Sequence, residues 1–490
     1  MADDGRFDIV VVGAGPAGCV LARRLTEDRE RTVAFLEAGP DYGADPHAWP
    51  AEMREASSFA IESHSWGYIN AGRPPGRPLA LPRARVVGGS STINSCVWMR
   101  GSAADYDGWA AAGNPGWAFA DLLPYFRRAE ADPLGGPLHG TDGPVPVFRE
   151  TETNLSPVDR AFVAAAESLG FPRVADFNGD PVQRPGVGPT PQNVAGGMRM
   201  HAAVTYLAPA RSRPNLTLFA DALVDRVCVE DGRATGVRTA DGREVRGRQV
   251  VLCAGAYGSP AILLRSGIGP AADLTELGLP IVADRPGVGA HLLDHPAVAF
   301  ANGNDFTAYW VNPEHTAAAP AQISTLLKAR SDQAAAEIDL YVVHGQFRNE
   351  ERKRWVAWFN LDLEVAPSPG RVRLTSPDPE ATLDIDHAHV SDPAELEALC
   401  DGMELIRRLV ATRPLADAID PMPGKVPEWH GRDELRAWVR GRVTTTFHPS
   451  STCRMGPAAD PEAVVDHLGR VHGVAGMRVV DASVFPAIPR

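Results

Sequence analysis

The stretch FDIVVVGAGPAG, residues 7–18, decides the fold. Its first half is a near-continuous apolar run rich in β-branched residues, the pattern of a strand buried on both faces of a parallel sheet. Gly13, Gly15 and Gly18 then fit G-x-G-x-x-G, and Pro16 and Ala17 lead into CVLARRLTED, where Val20, Leu21 and Leu25 keep helical spacing. The first glycine makes a tight turn, the second lets backbone amides approach a pyrophosphate, and the third lets helix pack closely on strand. The helix N-terminus favours the anion. A second strand, TVAFLEAG (32–39), carries Glu37 nineteen residues after Gly18, with Ala38 next to it. A carboxylate at that place can accept hydrogen bonds from an adenosine ribose. The unit predicts an α/β dinucleotide-binding domain and does not by itself choose between NAD and FAD.

Composition narrows the partners. The 490 residues are 44% hydrophobic and 22% charged, a globular mixture rather than a disordered or fibrous one. Lys plus Arg number 48 against 61 Asp plus Glu, a net charge of −13, which speaks against nucleic acid or an anionic membrane and for a small-molecule partner. Six cysteines without a C-x-x-C pair read as reduced, buried thiols. The acidic MADDGRFD start lacks the features of a secretory signal, and no apolar run is long enough for a transmembrane helix. The expectation is a soluble, cytoplasmic protein.

Further segments choose the cofactor. ARVVGGSSTINSCVWMRG (84–101) and GAYGSPAILLRSGIG (255–269) resemble the two signature stretches of the glucose-methanol-choline (GMC) oxidoreductase family, which uses FAD. The resemblance continues through DRPGVGAHLLDHP (284–296), PSPGRVRLTSPDP (367–379), TFHPSSTCRMG (446–456) and VVDHLGRVHGVAGMRVVDASVFP (464–486). The pattern is similar to bacterial alcohol and aryl-alcohol oxidases and dehydrogenases, hydroxymethylfurfural-oxidising and mycofactocin-associated relatives among them.

The resemblance implies site residues. Val87, Gly89, Asn94, Ser95 and Val97 are expected along the isoalloxazine and ribityl parts of FAD, Val224 and Ala254 on the adenine side, and Asp481 and Ala482 at the pyrophosphate and ribityl chain. Asp481 also suits a plain helix N-cap. His448 is expected over the flavin N5 edge as general base, accepting the alcohol proton while the carbon-bound hydrogen leaves as hydride. Oxygen or another acceptor then reoxidises the cofactor. Choline-oxidising members carry a histidine covalently joined to the flavin where Ile93 stands here, so FAD is expected to be noncovalent. Ser451 replaces a more usual Gly. Members also continue beyond DASVFPAIP with an Asn-containing turn, whereas the sequence given stops at Arg490; a flavin-binding relative without redox chemistry, hydroxynitrile-lyase-like or inactive, is the alternative reading.

No metal site is expected. His387 and His389 in DIDHAHV would share a strand face, but no third ligand is apparent nearby. His201 and His295 have no partner visible in sequence, and the charge run 350–354 reads as a solvated face. The expected architecture is a discontinuous, Rossmann-like FAD-binding domain from 1–150, 203–298 and 443–490, with an α+β substrate-binding domain on an antiparallel sheet from 151–202 and 299–442. Residues 216–254 read as a β-meander with turns at Asp231-Gly232 and Asp241-Gly242.

Overall fold

The apolar run at the N-terminus forms the strand Phe7–Val12, which pairs in parallel with Val33–Leu36 on one side and Glu244–Leu252 on the other. Both of its faces are buried. Ile9, Val11, Val33 and Phe35 enter one hydrophobic cluster, and Val10, Val12, Ala34 and Leu36 enter another behind the sheet. That division follows from side chains pointing alternately to opposite faces of a strand. The computed structural model describes residues 5–58, 62–70, 78–298, 307–316, 323–365 and 367–490. Parts of the expected domains, namely 1–4, 59–61, 71–77, 299–306, 317–322 and 366, lie outside the described residues.

The first sheet runs in the order Leu216–Phe219, Val33–Leu36, Phe7–Val12, Glu244–Leu252, Arg233–Thr239, Val224–Glu230. Its parallel half ends in a common register, because Val12 lies opposite both Leu36 and Leu252, and Leu252 opposite Val479 of the strand Met477–Val479. Gly13, Glu37, Cys253 and Val480 therefore leave the sheet side by side, at the edge where open parallel sheets bind ligands. The meander is confirmed for Val224–Glu230, Arg233–Thr239 and Glu244–Leu252, which pair antiparallel. Leu216–Phe219 departs from it and joins the parallel edge beside Val33–Leu36.

A second sheet of eight strands is antiparallel throughout, with Arg354–Leu363 at its centre between Leu340–Asn349 and Thr307–Val311. The helices Pro157–Ser168 and Pro393–Ala411 pack Phe162, Leu399, Met403 and Ile406 onto Leu340, Val342, Phe359 and Leu361 of one sheet face. Asp392 caps the longer helix by accepting a hydrogen bond from the Ala394 N–H, as its Asp-Pro opening predicts. The strands Pro296–Val298 and Thr444–Thr445 belong to this sheet, where they pair with each other. No helix among the described residues is long and apolar enough to cross a membrane.

Helix Pro16–Leu25 docks through smaller side chains than its apolar spacing suggests. Gly18, Cys19 and Ala22 are its buried residues, while Val20, Leu21 and Leu25 pack at the margin. A Cβ on Gly18 would stand 2.0 Å from the Gly13 carbonyl oxygen and 3.0 Å from the Phe35 ring. Gly18→Ala must push helix from strand, so a loss of about 3 kcal/mol is expected, the upper range for overpacking, read as a lower midpoint in thermal unfolding; an unchanged midpoint would show that the contact is not tight.

Candidate active site

One cavity of about 890 Å³ joins the end of the parallel sheet to the free face of the antiparallel sheet, a size within the roughly 300–1,000 Å³ of small-molecule and cofactor sites. Gly13, Gly15, Pro16, Ala17, Glu37 and Ala38 line one part of it. Gly89, Asn94, Ser95 and Val97 line the middle, with Val224, Ala254, Asp481 and Ala482 also on the wall. His448 lies on the same wall. The structure thus brings together fifteen of the seventeen residues singled out in sequence. Gly18 and Val87 stand behind the wall; Val87 is fully buried and donates its N–H to the Pro40 carbonyl.

The glycine end has the shape a dinucleotide requires. Helix Pro16–Leu25 has no side-chain cap at Gly15, so its first turn offers backbone N–H groups toward the cavity. A Cβ on Gly15 would meet nothing within 4 Å, whereas one on Gly89 would come within 2.7 Å of the Gly15 Cα. The turn therefore keeps a bare approach on one side while the Gly89–Thr92 turn supports it backbone to backbone. Glu37 accepts hydrogen bonds from the Ala14 N–H at 2.8 Å and the Gly39 N–H at 3.0 Å. Burial pushes its carboxyl up to about 7 despite these donors. Asp481 is braced from three directions: it accepts from the Gly255 N–H, the Ser259 hydroxyl and the Ser483 N–H. The N-cap role foreseen for it is present. These features fit FAD: an open backbone cradle for the pyrophosphate and a fixed carboxylate for the ribose.

At the other end, His448 follows Phe447, whose left-handed φ of 65° is held by the Phe447 N–H donating to Thr445 Oγ1 at 2.7 Å and by Arg83 donating to its carbonyl. The His448 N–H donates to Asp294 Oδ1 at 2.8 Å. Its ring presents bare surface to the cavity, yet lies deep enough that lost solvation, together with the Arg83 charge, lowers its pKa to about 4. The imidazole is neutral at physiological pH and can act as a base.

Two expectations, on His295 and on the His387–His389 pair, are corrected here. His295 has a partner after all: its Nδ1 is 3.3 Å from Nδ1 of His448. His201 lies against the Trp49 ring, with centroids 4.3 Å apart. His387 and His389 lie past the end of the strand Leu383–Asp386 rather than on its face, and Asp294 joins them as a third potential ligand. All three groups already engage protein: His387 Nε2 meets the Tyr257 hydroxyl at 2.7 Å, its Nδ1 is 3.1 Å from His389 Nε2, and Asp294 also accepts from Thr445. Sequence distance hid this cluster.

Sequence reading also missed the polar face of Arg354–Leu363. Trp358, Asn360, Asp362 and Glu364 all border the cavity, and Phe359 and Leu361 point into the core. The signal was present in WFNLDLE, where polar residues alternate with apolar ones; alternation does not reveal whether the polar face meets solvent or an internal chamber. Desolvation pushes Asp362 up to about 7 and Glu364 well above the carboxylate range.

The glycine-rich start of helix Pro16–Leu25 and a cavity-facing histidine thus border one continuous chamber. The chain belongs to the GMC oxidoreductase family, which it matches over residues 7–297 and 366–490, and it is an FAD-dependent oxidoreductase acting on CH–OH donors. The oxygen-dependent choline dehydrogenase of Paraburkholderia phytofirmans is 38% identical over 520 residues, covering 98% of this chain and 90% of that protein. The crystal structure of pyridoxine 4-oxidase from Mesorbium loti superposes with a TM-score of 0.87 at 31% identity, covering 99% of this chain and 95% of that one. Formate oxidase of Aspergillus oryzae shares the fold at a TM-score of 0.85 and 23% identity, covering 100% of this chain and 95% of that one. With redox enzymes as relatives, a flavin carrier without redox chemistry is not favoured.

Ser451 occupies a left-handed φ of 73° and is fully buried, with its N–H donating to the Ala482 carbonyl. The conformation explains why Gly is the more usual residue there. Ser451→Gly is expected to stabilise the protein by about 1 kcal/mol, since relief of the left-handed strain exceeds the added chain entropy; a lower unfolding midpoint would show that the serine hydroxyl matters more than its backbone.

Proposed function

We propose that the protein oxidises a small alcohol, with His448 Nε2 taking the hydroxyl proton as the carbinol hydrogen departs as hydride. When bound, FAD supplies N5 as the hydride acceptor, and oxygen or another acceptor restores it. The observation that supports this reading best is the neutral imidazole of His448, bare to a cavity that also contains the Gly13–Gly18 cradle. Backbone N–H groups of Gly15, Ala17 and Gly18, on the helix start opened by Pro16, would hold the pyrophosphate, Glu37 and Ala38 the ribose, and Val224 and Ala254 the adenine side. Gly89, Asn94, Ser95 and Val97, backed by Val87, would hold the ring system, with Asp481 and Ala482 along the ribityl chain.

The parallel sheet is read as the FAD-binding, Rossmann-like domain (1–150, 203–298, 443–490) and the antiparallel sheet as the substrate-binding domain (151–202, 299–442). Their seam runs through Pro296–Val298 and Thr444–Thr445, which carries His448 under the second sheet. The Asp294 carboxylate accepts the His448 backbone N–H and Arg83 donates to the Phe447 carbonyl, so the backbone that carries the ring is held on both sides. Ile93 lines the cavity and has no nucleophile, which supports noncovalent FAD.

Choline and pyridoxine, named for two relatives, and benzyl alcohol make a first panel. The yellow protein, mixed anaerobically with these alcohols, is expected to lose its visible flavin absorbance with at least one of them; a flavin that none of them bleaches contradicts the reading. His448→Asn should slow bleaching by about 10²–10⁴-fold, the usual loss for a general base, with flavin content retained, whereas an unchanged rate would remove His448 from the chemistry. Because the neutral imidazole is the active form and exists above its pKa, the bleaching rate should hold through neutral pH and fall only as pH drops toward about 4. Acid precipitation should leave the flavin in the supernatant; flavin remaining with the pellet would show a covalent link.

A further inference from the structure

Five arginines border the chamber, and three of them are neutralised where they stand. Arg100 pairs with Glu130 at 2.5 Å, Arg265 with Asp225 at 3.2 Å and Arg490 with Asp105 at 2.7 Å. Arg83 and Arg85 form no ion pair among the described residues; their partners are backbone carbonyls and aromatic rings. Arg85 donates to the Ala38 carbonyl at 3.0 Å and lies over the Trp66 ring, which puts it at the nucleotide end. Arg83 belongs to the other end. It donates to the Pro82 and Phe447 carbonyls at 3.0 and 2.5 Å, and lies 5.7 Å from the centroid of the Tyr257 ring. The Ala84 N–H beside it donates to Ser90 Oγ at 3.3 Å, so the same backbone is tied to the Gly89–Thr92 turn.

The geometry points to Arg83 as the fixed cation that offsets the negative charge which hydride transfer puts on the flavin ring. This inference rests on the proposed place of the ring, with its N5 edge toward His448. A cation withdrawn from water without a counter-ion costs stability, and an anion brought to it offsets that cost. Asp294 feels the Arg83 charge but forms no ion pair with it, and its oxygens accept from Thr445 and from the His448 N–H. The pyrophosphate, at the opposite end, has the start of helix Pro16–Leu25 and Arg85 to face. The oxidised ring and a simple alcohol are both neutral, so the anion that matches Arg83 arises in the reaction itself. As the alcohol O–H bond breaks, its proton goes to His448 Nε2; as the C–H bond breaks, its hydrogen and electron pair go to N5, and the ring system gains one negative charge. Arg83 gives up no proton and carries no electron.

Electrostatics at this end of the chamber favours negative charge. After burial, Arg83 is the cause that lowers the proton affinity of His448, so its field opposes positive charge beside that ring and favours negative charge there. Asp362 and Glu364, which also border the chamber, are pushed toward the neutral form by burial and do little to cancel it. A fixed cation aimed at the place where negative charge develops lowers the barrier without having to reorganise as the reaction proceeds. Its two backbone carbonyl partners hold the Arg83 guanidinium in that position before any ligand arrives.

Sulfite tests this without any alcohol. It adds through sulfur to N5 of the oxidised ring and leaves a like negative charge there, with loss of the visible absorbance. Holoenzyme is titrated with sulfite, and the midpoint potential of its flavin is measured against a reference dye, in the wild type, Arg83→Lys and Arg83→Met. The wild type is expected to form the adduct in millimolar sulfite. Arg83→Met should bind sulfite at least about 10-fold more weakly and show a potential lower by about 30 mV or more, the two-electron equivalent of a tenfold change. Arg83→Lys, which keeps the charge, should stay closer to the wild type than to Arg83→Met. A wild type that forms no adduct overturns the inference, as does an Arg83→Met that matches the wild type. So does an Arg83→Lys that falls as far as Arg83→Met, since the hydrogen bond to Phe447 rather than the charge would then matter. Benzoate probes the other source of an anion: if its perturbation of the flavin spectrum is lost in Arg83→Met while sulfite affinity is kept, Arg83 serves a substrate carboxylate and the inference fails. If Arg83→Met does not retain flavin, Arg83→Gln and the wild-type adduct still decide. Failure of every alcohol to bleach the flavin bears instead on the role of His448 and leaves the sulfite result standing.

Discussion

The shared register of the parallel strands is the constraint on which the rest depends. Val12 opposite Leu36 and Leu252, and Leu252 opposite Val479, bring four chain segments to one sheet edge although the last begins more than two hundred residues after the third. A shift of one residue in any of these pairings would turn the apolar side chains of that strand to the wrong face, so the hydrophobic cores on both sides enforce the alignment. The turn at Gly13, the carboxylate of Glu37 and the braced carboxylate of Asp481 are consequences of that alignment. Gly89 completes the arrangement from outside the sheet, because only a residue without a side chain can lie against Gly15.

The second sheet solves a different problem. One face is packed by helices and is apolar; the other bounds the chamber and carries Asn360, Asp362, Glu364 and Lys328 away from bulk water. Buried ionisable groups are costly unless paired or neutralised. Here much of that cost is avoided by holding the groups near neutrality: carboxyls are raised, histidines lowered, and Lys328 is lowered to about 7. Asp294 links the two parts, since it holds the His448 backbone and also contacts the His387–His389 pair.

The parallel sheet and the glycine turn at its edge are legible because their signals are local. Strand, glycines, helix and acidic residue fall within one short stretch, and each has a physical task that only a few residue types can perform. Helix Pro16–Leu25 shows the limit even there: periodicity selected Val20, Leu21 and Leu25, whereas the closest packing uses Gly18, Cys19 and Ala22. His448 was legible only through family resemblance, since nothing in HPSSTCRMG distinguishes a base from a structural histidine. The Asp294–His387–His389 cluster and the His295–His448 contact depend on segments far apart in sequence. Asn360, Asp362 and Glu364 were visible as a polar alternation, but burial of that face is a property of the assembled sheets.

The central claim is that one chamber places the redox end of FAD beside His448 and its nucleotide end in the Gly13–Gly18 turn. A crystal structure of the yellow protein tests it most directly. The account predicts pyrophosphate density at the N-terminus of helix Pro16–Leu25 and the N5 edge of the flavin ring toward His448. A ring bound away from His448, or a pyrophosphate held elsewhere, would contradict it.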